Sequence, residues 1–164
     1  MAESVYRAGF RKLALVNSHG EQPQVMEIAA RDIHASYKDF LVFPLFTWRV
    51  PSIAEELFSQ KELELGIHAG EIETSLMLSL LPEQVKMEKA VNEFPKGLPE
   101  DSLLSMEGKL PFAWLTREIS NSGVLGDATS ATQEKGDRLL ESVCDSWVKV
   151  IKDIHKFEQP QCRK

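Results

Sequence analysis

A histidine and a glutamate two residues apart give the chain its first candidate site. His19 and Glu21 lie in the turn at residues 17–21, and residues two apart in an extended turn point to the same side. An imidazole and a carboxylate that face one point are ligand types that suit zinc or manganese. The pattern also allows a second interpretation, in which His19 is a polar turn residue and Glu21 is favoured at a helix N-terminus by the helix dipole.

A second histidine lies between two glycines. Gly66 and Gly70 flank His68 at the predicted start of a helix, where free backbone N–H groups can bind an anion or a developing oxyanion. Glu71 and Glu73 follow in the first turn of that helix. Acidic side chains at such positions are ordinarily explained by the helix dipole, and that interpretation stays open for Glu71.

Two apolar runs and a segment of helical period place the first candidate in the fold. Residues 11–17 are typical of a strand buried on both faces. Residues 40–46 are a second strand-like apolar run, in which Pro44 suggests a bulge or an edge. Between them, Pro23 begins a segment whose apolar residues follow the spacing of an amphipathic helix. Strand, helix, strand is the βαβ unit of a parallel sheet. Ligands of such sheets bind beyond the carboxyl ends of the strands, which is where His19 lies.

The remaining elements are short apart from the last helix. The sequence predicts a helix over residues 71–81, which Pro82 ends, and a short strand over residues 85–91. Residues 112–115 fit a strand or a helix equally. The last helix is predicted to follow a capping box formed by Ser130 and Gln133.

Composition narrows the class of protein. The chain has 164 residues, of which 43% are hydrophobic, and a net charge of −6 from 19 basic and 25 acidic residues. These values predict a single domain over residues 1–164, and the scattered charges offer no basic stripe for a nucleic acid. The apolar runs are far shorter than the ~20 residues of a membrane span, and the N-terminus lacks the pattern of a secretory signal. We therefore expect a cytoplasmic protein that binds neither nucleic acid nor membrane.

At the two candidate sites the sequence resembles the creatininase (creatinine amidohydrolase) family. Residues 68–75 match the family pattern H-A-G-x-x-E-T-S without departure, and residues 15–22 are similar to its N-G-H-G-G-N or N-G-H-x-E-N strand and turn. Residues 123–136 resemble a third pattern, G-x-x-G-D-P-x-x-A-T-x-E-K-G, with Ala128 where proline is usual. The three motifs stand in the family's order, and H-A-G-x-x-E-T-S is the most specific of them.

The resemblance implies a fold, a metal centre and a reaction. The implied fold is an α/β/α sandwich with a mostly parallel sheet. The implied centre holds two divalent ions of zinc, manganese or iron, which would carry a bridging hydroxide. Because members of the family hydrolyse non-peptide C–N bonds, the implied partner is a small cyclic amide or a formamide.

Position within the motifs implies a role for each candidate residue. His19 and Glu21 correspond to metal ligands of the family. His68 corresponds to the histidine that moves protons during hydrolysis, and Glu73 to a glutamate that orients His68 or another ligand.

Gly20, which follows His19, and Ile67, which precedes His68, are assigned to substrate binding. Ile67 stands where members that hydrolyse creatinine have an acidic residue. This difference counts against creatinine itself and favours a formamide or another small amide.

The family pattern also includes a segment that the sequence does not match. Members carry E-x-H-G-x-H-L-P-x-x-T-D upstream of the strand at residues 11–17, and that segment supplies a glutamate, a histidine and an aspartate to the metals. We therefore expect an N-terminally truncated family domain with an incomplete metal shell, an unpaired sheet edge and a tendency to form homo-oligomers. The alternatives to an active amidohydrolase are a catalytically inactive member that serves as an interaction or assembly module, and a plain α/β binding domain.

Overall fold

The computed structural model describes residues 1–20, 22–99, 102–108 and 110–159, and this part of the chain contains α-helices and short strands. The strands are β1 (Lys12–Asn17), β2 (Leu41–Phe46), β3 (Asn92–Glu93) and β4 (Gly126–Asp127). The α-helices are α1 (Ala2–Arg7), α2 (Pro23–Ser36), α3 (Ala54–Leu57), α4 (Gln60–Leu65), α5 (Glu71–Leu80), α6 (Thr116–Ile119) and α7 (Gln133–Lys156). None of the helices within the described residues is both long enough and apolar enough to cross a membrane.

The elements form two units. Unit 1 comprises Met1–Pro51 and the chain from Asp145 onwards, and unit 2 comprises Ser52–Cys144. The boundary between the units falls within α7, so each unit contains one part of that helix.

A parallel pair of strands forms the sheet of unit 1. β1 pairs with β2 in a register that runs from Lys12 opposite Leu41 to Asn17 opposite Phe46. α2 connects the two strands and packs on β2. Pro23 is the first residue of α2, a position where the missing N–H of proline leaves no hydrogen bond unmade. The predicted βαβ unit, its parallel sheet and the α/β class are confirmed.

An aromatic contact packs α1 against the start of β2, and a lysine of β1 binds the end of α7. Phe40, directly before β2, is fully buried, and its ring centre lies 5.4 Å from that of Tyr6 in α1. Lys12 in β1 donates hydrogen bonds to the carbonyls of Ile154 and His155 at 2.7 and 2.6 Å. Carbonyls in the last turn of a helix have no partner within the helix, so the lysine satisfies the end of α7 and fastens it to β1.

The hydrophobic core of unit 2 surrounds three buried residues. The cluster contains Met106, Ile119 and Leu125, with Ile67, Leu98 and Trp114 packed against it. β3 pairs antiparallel with β4, and Glu93 lies opposite Gly126. Because Leu125 directly precedes β4, the buried cluster holds the start of that strand in place.

Two stretches differ from the sequence prediction. Residues 85–91, predicted as a strand, contain a 3₁₀ turn at Met87–Lys89, because their backbone groups bond locally, as from the Lys89 N–H to the Lys86 carbonyl at 2.9 Å. Residues 112–115 form neither a strand nor a helix, and α6 begins directly after them.

Pro44 introduces no bulge into β2. It lies opposite Leu15 within a continuous parallel register. In the described residues this sheet has two strands, so β2 has an edge at which the missing N–H of a proline removes no ladder hydrogen bond. Of the two explanations that the sequence allows for this proline, the edge is confirmed.

The cap of α7 lies two residues later than predicted. Thr132 directly precedes the helix, and its Oγ1 accepts a hydrogen bond from the Lys135 N–H at 3.2 Å. Thr132 is therefore the N-cap. The predicted capping box is wrong because the hydroxyl of Ser130 instead donates to Oδ2 of Asp127 at 2.8 Å.

Candidate active site

The turn after β1 is held by hydrogen bonds to its own backbone. Oδ1 of Asn17, the last residue of β1, accepts a hydrogen bond from the His19 N–H at 3.1 Å, and Nδ2 donates to the His19 carbonyl at 2.7 Å. The indole of Trp48 donates to the Ser18 carbonyl at 2.9 Å. His19 is thereby fixed at the carboxyl end of β1, as predicted, and it is exposed.

Of the two metal ligands that the sequence predicts at this turn, the structure describes only His19. Glu21 lies outside the described residues, and Gly20 is half-buried. Within the described ranges, no three histidine, cysteine, aspartate or glutamate side chains come together in a way that would hold a metal ion. A catalytic zinc ordinarily takes three protein ligands. The described part of the chain therefore does not by itself fit the metal centre that the resemblance implies.

The second candidate turn lies in unit 2 and is fixed by a β-bridge. The His68 N–H donates to the Leu125 carbonyl at 3.2 Å, and the Leu125 N–H donates to the His68 carbonyl at 2.8 Å. Ala69 follows with φ +51°, a left-handed conformation that costs a residue with a Cβ roughly 1–2 kcal/mol. Gly70 is then the N-cap of α5. This turn places His68 directly before the N-terminus of the helix, as the sequence predicts.

Glu73 holds the same turn from within α5. Its Oε2 accepts a hydrogen bond from the Ala69 N–H at 2.6 Å, and the Thr74 hydroxyl donates to the Ala69 carbonyl at 3.3 Å. Oε2 of Glu73 also lies 3.8 Å from Nδ1 of His68, which makes an ion pair when the imidazole is protonated. The structure thus brings these two predicted site residues together. The His68 side chain is 62% exposed, so its ring is accessible to a ligand.

A buried carboxylate that sequence reasoning missed lies next to this turn. Glu62 in α4 is 1% exposed. Its Oε1 accepts hydrogen bonds from the N–H groups of Glu71 at 2.6 Å and Ile72 at 3.5 Å, and its Oε2 accepts from the Asp127 N–H at 2.9 Å. Burial of a carboxylate is tolerated only with such donors. The sequence signal was weak, because an acidic residue in a short charged segment is typical of a solvated helix face.

Two further side chains of the H-A-G-x-x-E-T-S motif bind α5 to the start of α7. Glu71 is buried and forms an ion pair with Lys135. Ser75 is fully buried, and its Oγ accepts a hydrogen bond from the Thr132 N–H at 3.2 Å. The Ser75 carbonyl lies 1.9 Å from the point where a Cβ on Gly136 would be. The second and third sequence motifs therefore contact each other directly. Glu71 binds Lys135, so its role is not limited to an interaction with the helix dipole.

Asp127, the acidic residue of the third motif, caps the turn that follows β4. Its carboxylate accepts hydrogen bonds from the Thr129 N–H at 3.1 Å and from the Ser130 hydroxyl at 2.8 Å. Burial raises the pKa of Asp127, but hydrogen bonds from the side chains and backbone of Thr129 and Ser130 outweigh it, so the pKa is lowered from its ordinary value. Asp127 is therefore an ionised cap at neutral pH, with no proton to donate.

The two residues assigned to substrate binding lie in different units. Gly20 follows His19 in the turn of unit 1, while Ile67 directly precedes His68 in unit 2. The Ile67 side chain packs against the buried cluster that contains Leu125. Its apolar surface contributes to the core, and it brings no charge to the neighbourhood of His68.

An open cavity of about 500 Å³ also lies in unit 2, lined by residues 91–94, 96, 121 and 122. The Glu93 carboxylate accepts hydrogen bonds from the N–H groups of Asn121 and Ser122, each at 2.9 Å. The Ser122 hydroxyl, followed by these two N–H groups, lowers the pKa of Glu93 to about 2. Because these bonds tie the carboxylate to the loop, Glu93 acts as a loop clamp and stays ionised at neutral pH.

Comparison with known proteins connects this geometry to one family. A family model described as creatininase, creatinine amidohydrolase, matches residues 1–151. The chain is 34% identical over 169 residues to the 3-dehydro-scyllo-inosose hydrolase of Thermotoga maritima, covering 91% of this chain and 52% of that protein. It is 31% identical over 163 residues to the creatinine amidohydrolase of Pseudomonas putida, covering 94% of this chain and 58% of that protein. The chain thus spans between half and three fifths of the length of these curated relatives.

Solved structures give the same fold. A crystal structure of creatinine amidohydrolase (creatininase) superposes with a TM-score of 0.71 at 27% identity, covering 94% of this chain and 60% of that one. Two further solved creatininases are described as a manganese form and as a mutant of zinc–zinc type, with TM-scores of 0.68 and 0.67 at 27% identity. The likeness extends over nearly the whole of this chain.

Proposed function

The chain belongs to the creatininase family, and on that premise we propose that it contributes the proton-transfer part of a hydrolase site, with His68 as the catalytic residue. One observation supports this role above the others. The acidic and hydroxyl side chains of the H-A-G-x-x-E-T-S motif hold the turn or fasten α5, whereas His68 is 62% exposed at the start of the helix. An exposed imidazole in a fixed turn is the group of this motif that can meet a substrate.

The proposed reaction step is general acid catalysis. The protonated imidazole of His68 donates a proton to the nitrogen that departs when a small amide is hydrolysed, a contribution of roughly 10²–10⁴ in rate. Glu73 supports this role from 3.8 Å, because its carboxylate faces Nδ1 and leaves the other ring nitrogen for the substrate. Glu73 is therefore proposed to orient the ring.

Solved relatives described as manganese and zinc–zinc forms support a divalent metal for the family. The described residues of this chain do not fit such a centre, since they contain no group of three ligand-type side chains. His19 and Glu21 remain our predicted ligands, and a complete shell would need donors from outside the described residues. The role proposed for His68 uses no metal ion.

The substrate that we propose is a small cyclic amide or a formamide. The curated relatives are named for two different compounds, creatinine and 3-dehydro-scyllo-inosose, so their names support hydrolysis more strongly than any one substrate. Ile67, next to His68, packs into the core and offers no charge. An uncharged group on the substrate would suit that position best. We also propose that the chain acts in the cytoplasm.

A second candidate function is that of an assembly module without catalysis of its own. Large apolar side chains are exposed in unit 1, including Val16 at 60%, Val25 at 68% and Ile28 at 62%. Exposed apolar surface of this kind marks protein interaction sites when it is contiguous. A homo-oligomer would cover it.

One experiment separates the two candidates. The purified chain would be analysed for bound zinc, manganese and iron by elemental mass spectrometry, with His19→Ala as the control, and assayed with creatinine and simple formamides. Turnover, with near-stoichiometric metal that His19→Ala loses, supports the hydrolase. An oligomer by light scattering with neither metal nor turnover would support the assembly module and reject catalysis by this chain.

A further inference from the structure

Glu62 binds the two chain segments that flank His68 in space. One carboxylate oxygen accepts hydrogen bonds from the first two N–H groups of α5, at Glu71 and Ile72. The other accepts from the N–H of Asp127 at 2.9 Å, two residues after the Leu125 that pairs with His68. A single buried side chain therefore connects the segment that pairs with His68 to the helix that follows His68.

Glycines make room for this carboxylate on three sides. A Cβ on Gly70 would lie 2.3 Å from Oε1 of Glu62, and a Cβ on Gly66 would lie 2.5 Å from the same oxygen. A Cβ on Gly126 would lie 2.9 Å from Oε1 and 2.7 Å from the Cα of Gly70. Any larger residue at these positions would displace the carboxylate or the backbone. Gly70 of the second motif and Gly126 of the third are thus explained by the volume of the Glu62 carboxylate, and so is Gly66 outside the motifs.

The negative charge of Glu62 is favourable at the N-terminus of α5. A carboxylate has only acceptor oxygens, and the N-terminus of a ten-residue helix presents free N–H groups with the positive end of the helix dipole. A glutamine of the same shape would turn an NH₂ group toward one of these donors, so at least one of the hydrogen bonds would be lost. The site requires an anion of this length.

We infer that Glu62 is the positioning residue that holds the His68 turn in its active geometry. Glu62 acts through the backbone of α5 and β4 and does not touch the substrate. The inference rests on the proposed function of His68 and adds a determinant that lies outside the three sequence motifs.

The test compares Glu62→Gln with Lys135→Met. Lys135→Met removes a different anchor of α5, the ion pair with the buried Glu71, and leaves the Glu62 carboxylate in place. Each protein would be studied by amide hydrogen exchange, by NMR of the His68 ring protons and by steady-state kinetics. The amide to follow is that of Asp127, with its exchange rate expressed relative to the slowest amides of unit 2.

In Glu62→Gln we expect the Asp127 amide to exchange at least about tenfold faster, because a neutral side chain cannot accept a charge-assisted hydrogen bond from it, whichever way the side-chain amide is turned. We also expect broadened His68 ring signals and a kcat about tenfold lower at unchanged KM, since a misplaced catalytic group slows the chemical step. Lys135→Met is expected to leave all three readouts close to those of the wild type. If Glu62→Gln does not fold, Glu62→Asp takes its place, with the same expected directions.

Two results would overturn the inference. The first is a Glu62 variant whose Asp127 exchange and His68 ring signals match those of the wild type. The second is a Lys135→Met protein that shows the same changes as the Glu62 variant, since Glu62 would then have only a general structural role. Neither the hydrogen exchange nor the His68 ring signals require turnover. The inference can therefore fail while the proposed function of His68 stands, and the reverse is also possible.

Discussion

Gly136 of α7 lies directly against the backbone of Ser75, at a distance where a Cβ on the glycine would be 1.9 Å from the Ser75 carbonyl oxygen. Glycine within a helix ordinarily costs roughly 0.5–1 kcal/mol relative to alanine, so Gly→Ala in a helix usually stabilises. Here we predict the opposite sign. Gly136→Ala should lower the free energy of unfolding by roughly 1–3 kcal/mol, because α5 and α7 must move apart. Urea unfolding measures the difference.

The matched control for this prediction is Gly123→Ala. A Cβ there meets nothing within 4 Å, but φ is +89°, so only the backbone conformation opposes the change. We expect a loss of roughly 1–2 kcal/mol from the left-handed conformation alone. A Gly136→Ala protein at least as stable as the wild type would show that α5 and α7 are not in the close contact described.

Lys135 stabilises the chain by neutralising a buried carboxylate. The Glu71 side chain is 6% exposed and that of Lys135 is 32% exposed, so Lys135→Met leaves a nearly buried charge without its partner. We predict a loss of roughly 1–3 kcal/mol in the free energy of unfolding, below the 3–5 kcal/mol typical of a fully buried pair.

The exposed pair of Arg7 and Glu3 provides the comparison. These side chains are 76% and 62% exposed, and their charged atoms lie 3.7 Å apart. Such pairs contribute about 0–1 kcal/mol, so Arg7→Met should change the free energy of unfolding much less than Lys135→Met does. Equal losses in the two variants would contradict a special role for the Glu71 pair.

Glu93 should make the stability of the protein depend on pH in acid. Hydrogen bonds from Ser122 and Asn121 lower its pKa from 4.5 to about 2 in the folded chain. A carboxyl whose pKa is depressed on folding stabilises fully above its unfolded pKa, and this stabilisation is lost as the pH falls through the folded pKa. The loss attributable to Glu93 therefore occurs between about pH 4.5 and pH 2.

Urea unfolding of the wild type and of Glu93→Gln across this pH range measures that contribution. We expect the wild type to be more stable by a constant margin above pH 4.5, and the margin to shrink toward pH 2. A margin that stays constant down to pH 2 would show that the Glu93 carboxylate is not held by the loop as described.

Local signals were sufficient for the sheet of unit 1 and for α5. Two apolar runs on either side of a helical segment that begins with Pro23 allow few arrangements other than a βαβ unit, and the register observed in β1 and β2 agrees. α5 is bounded by Gly70 as its N-cap and by Pro82, which directly follows the C-cap. These elements are set by residues close in sequence.

The elements that sequence reasoning missed depend on contacts between distant residues or on competition between neighbours. Ser130 has the spacing of a helix cap, but its hydroxyl donates to Asp127, and Thr132 takes its place. Glu62 bonds to the N–H of Asp127, which is 65 residues further along the chain. No periodicity or local motif reports such a bond, so a buried carboxylate in a charged segment is seen only in the structure.

For the candidate site too, the sequence indicates some residues and leaves the roles of others open. The family resemblance identified His68 and Glu73, and the structure explains Glu73 by its bond to the Ala69 N–H and its 3.8 Å approach to His68. Residue types alone did not distinguish a catalytic histidine from a polar residue of a turn. The metal-ligand roles of His19 and Glu21 stay predictions.

The most direct test of the account is the turnover of His68→Ala, measured beside its free energy of unfolding. His155→Ala, which removes another exposed histidine, from the last turn of α7, is the control. Because the His68 side chain is 62% exposed, we predict a stability within about 0.5 kcal/mol of the wild type. Turnover should fall by roughly 10²–10⁴ in His68→Ala and stay unchanged in His155→Ala. A folded His68→Ala protein that hydrolyses its substrate at the wild-type rate would contradict the catalytic role of His68.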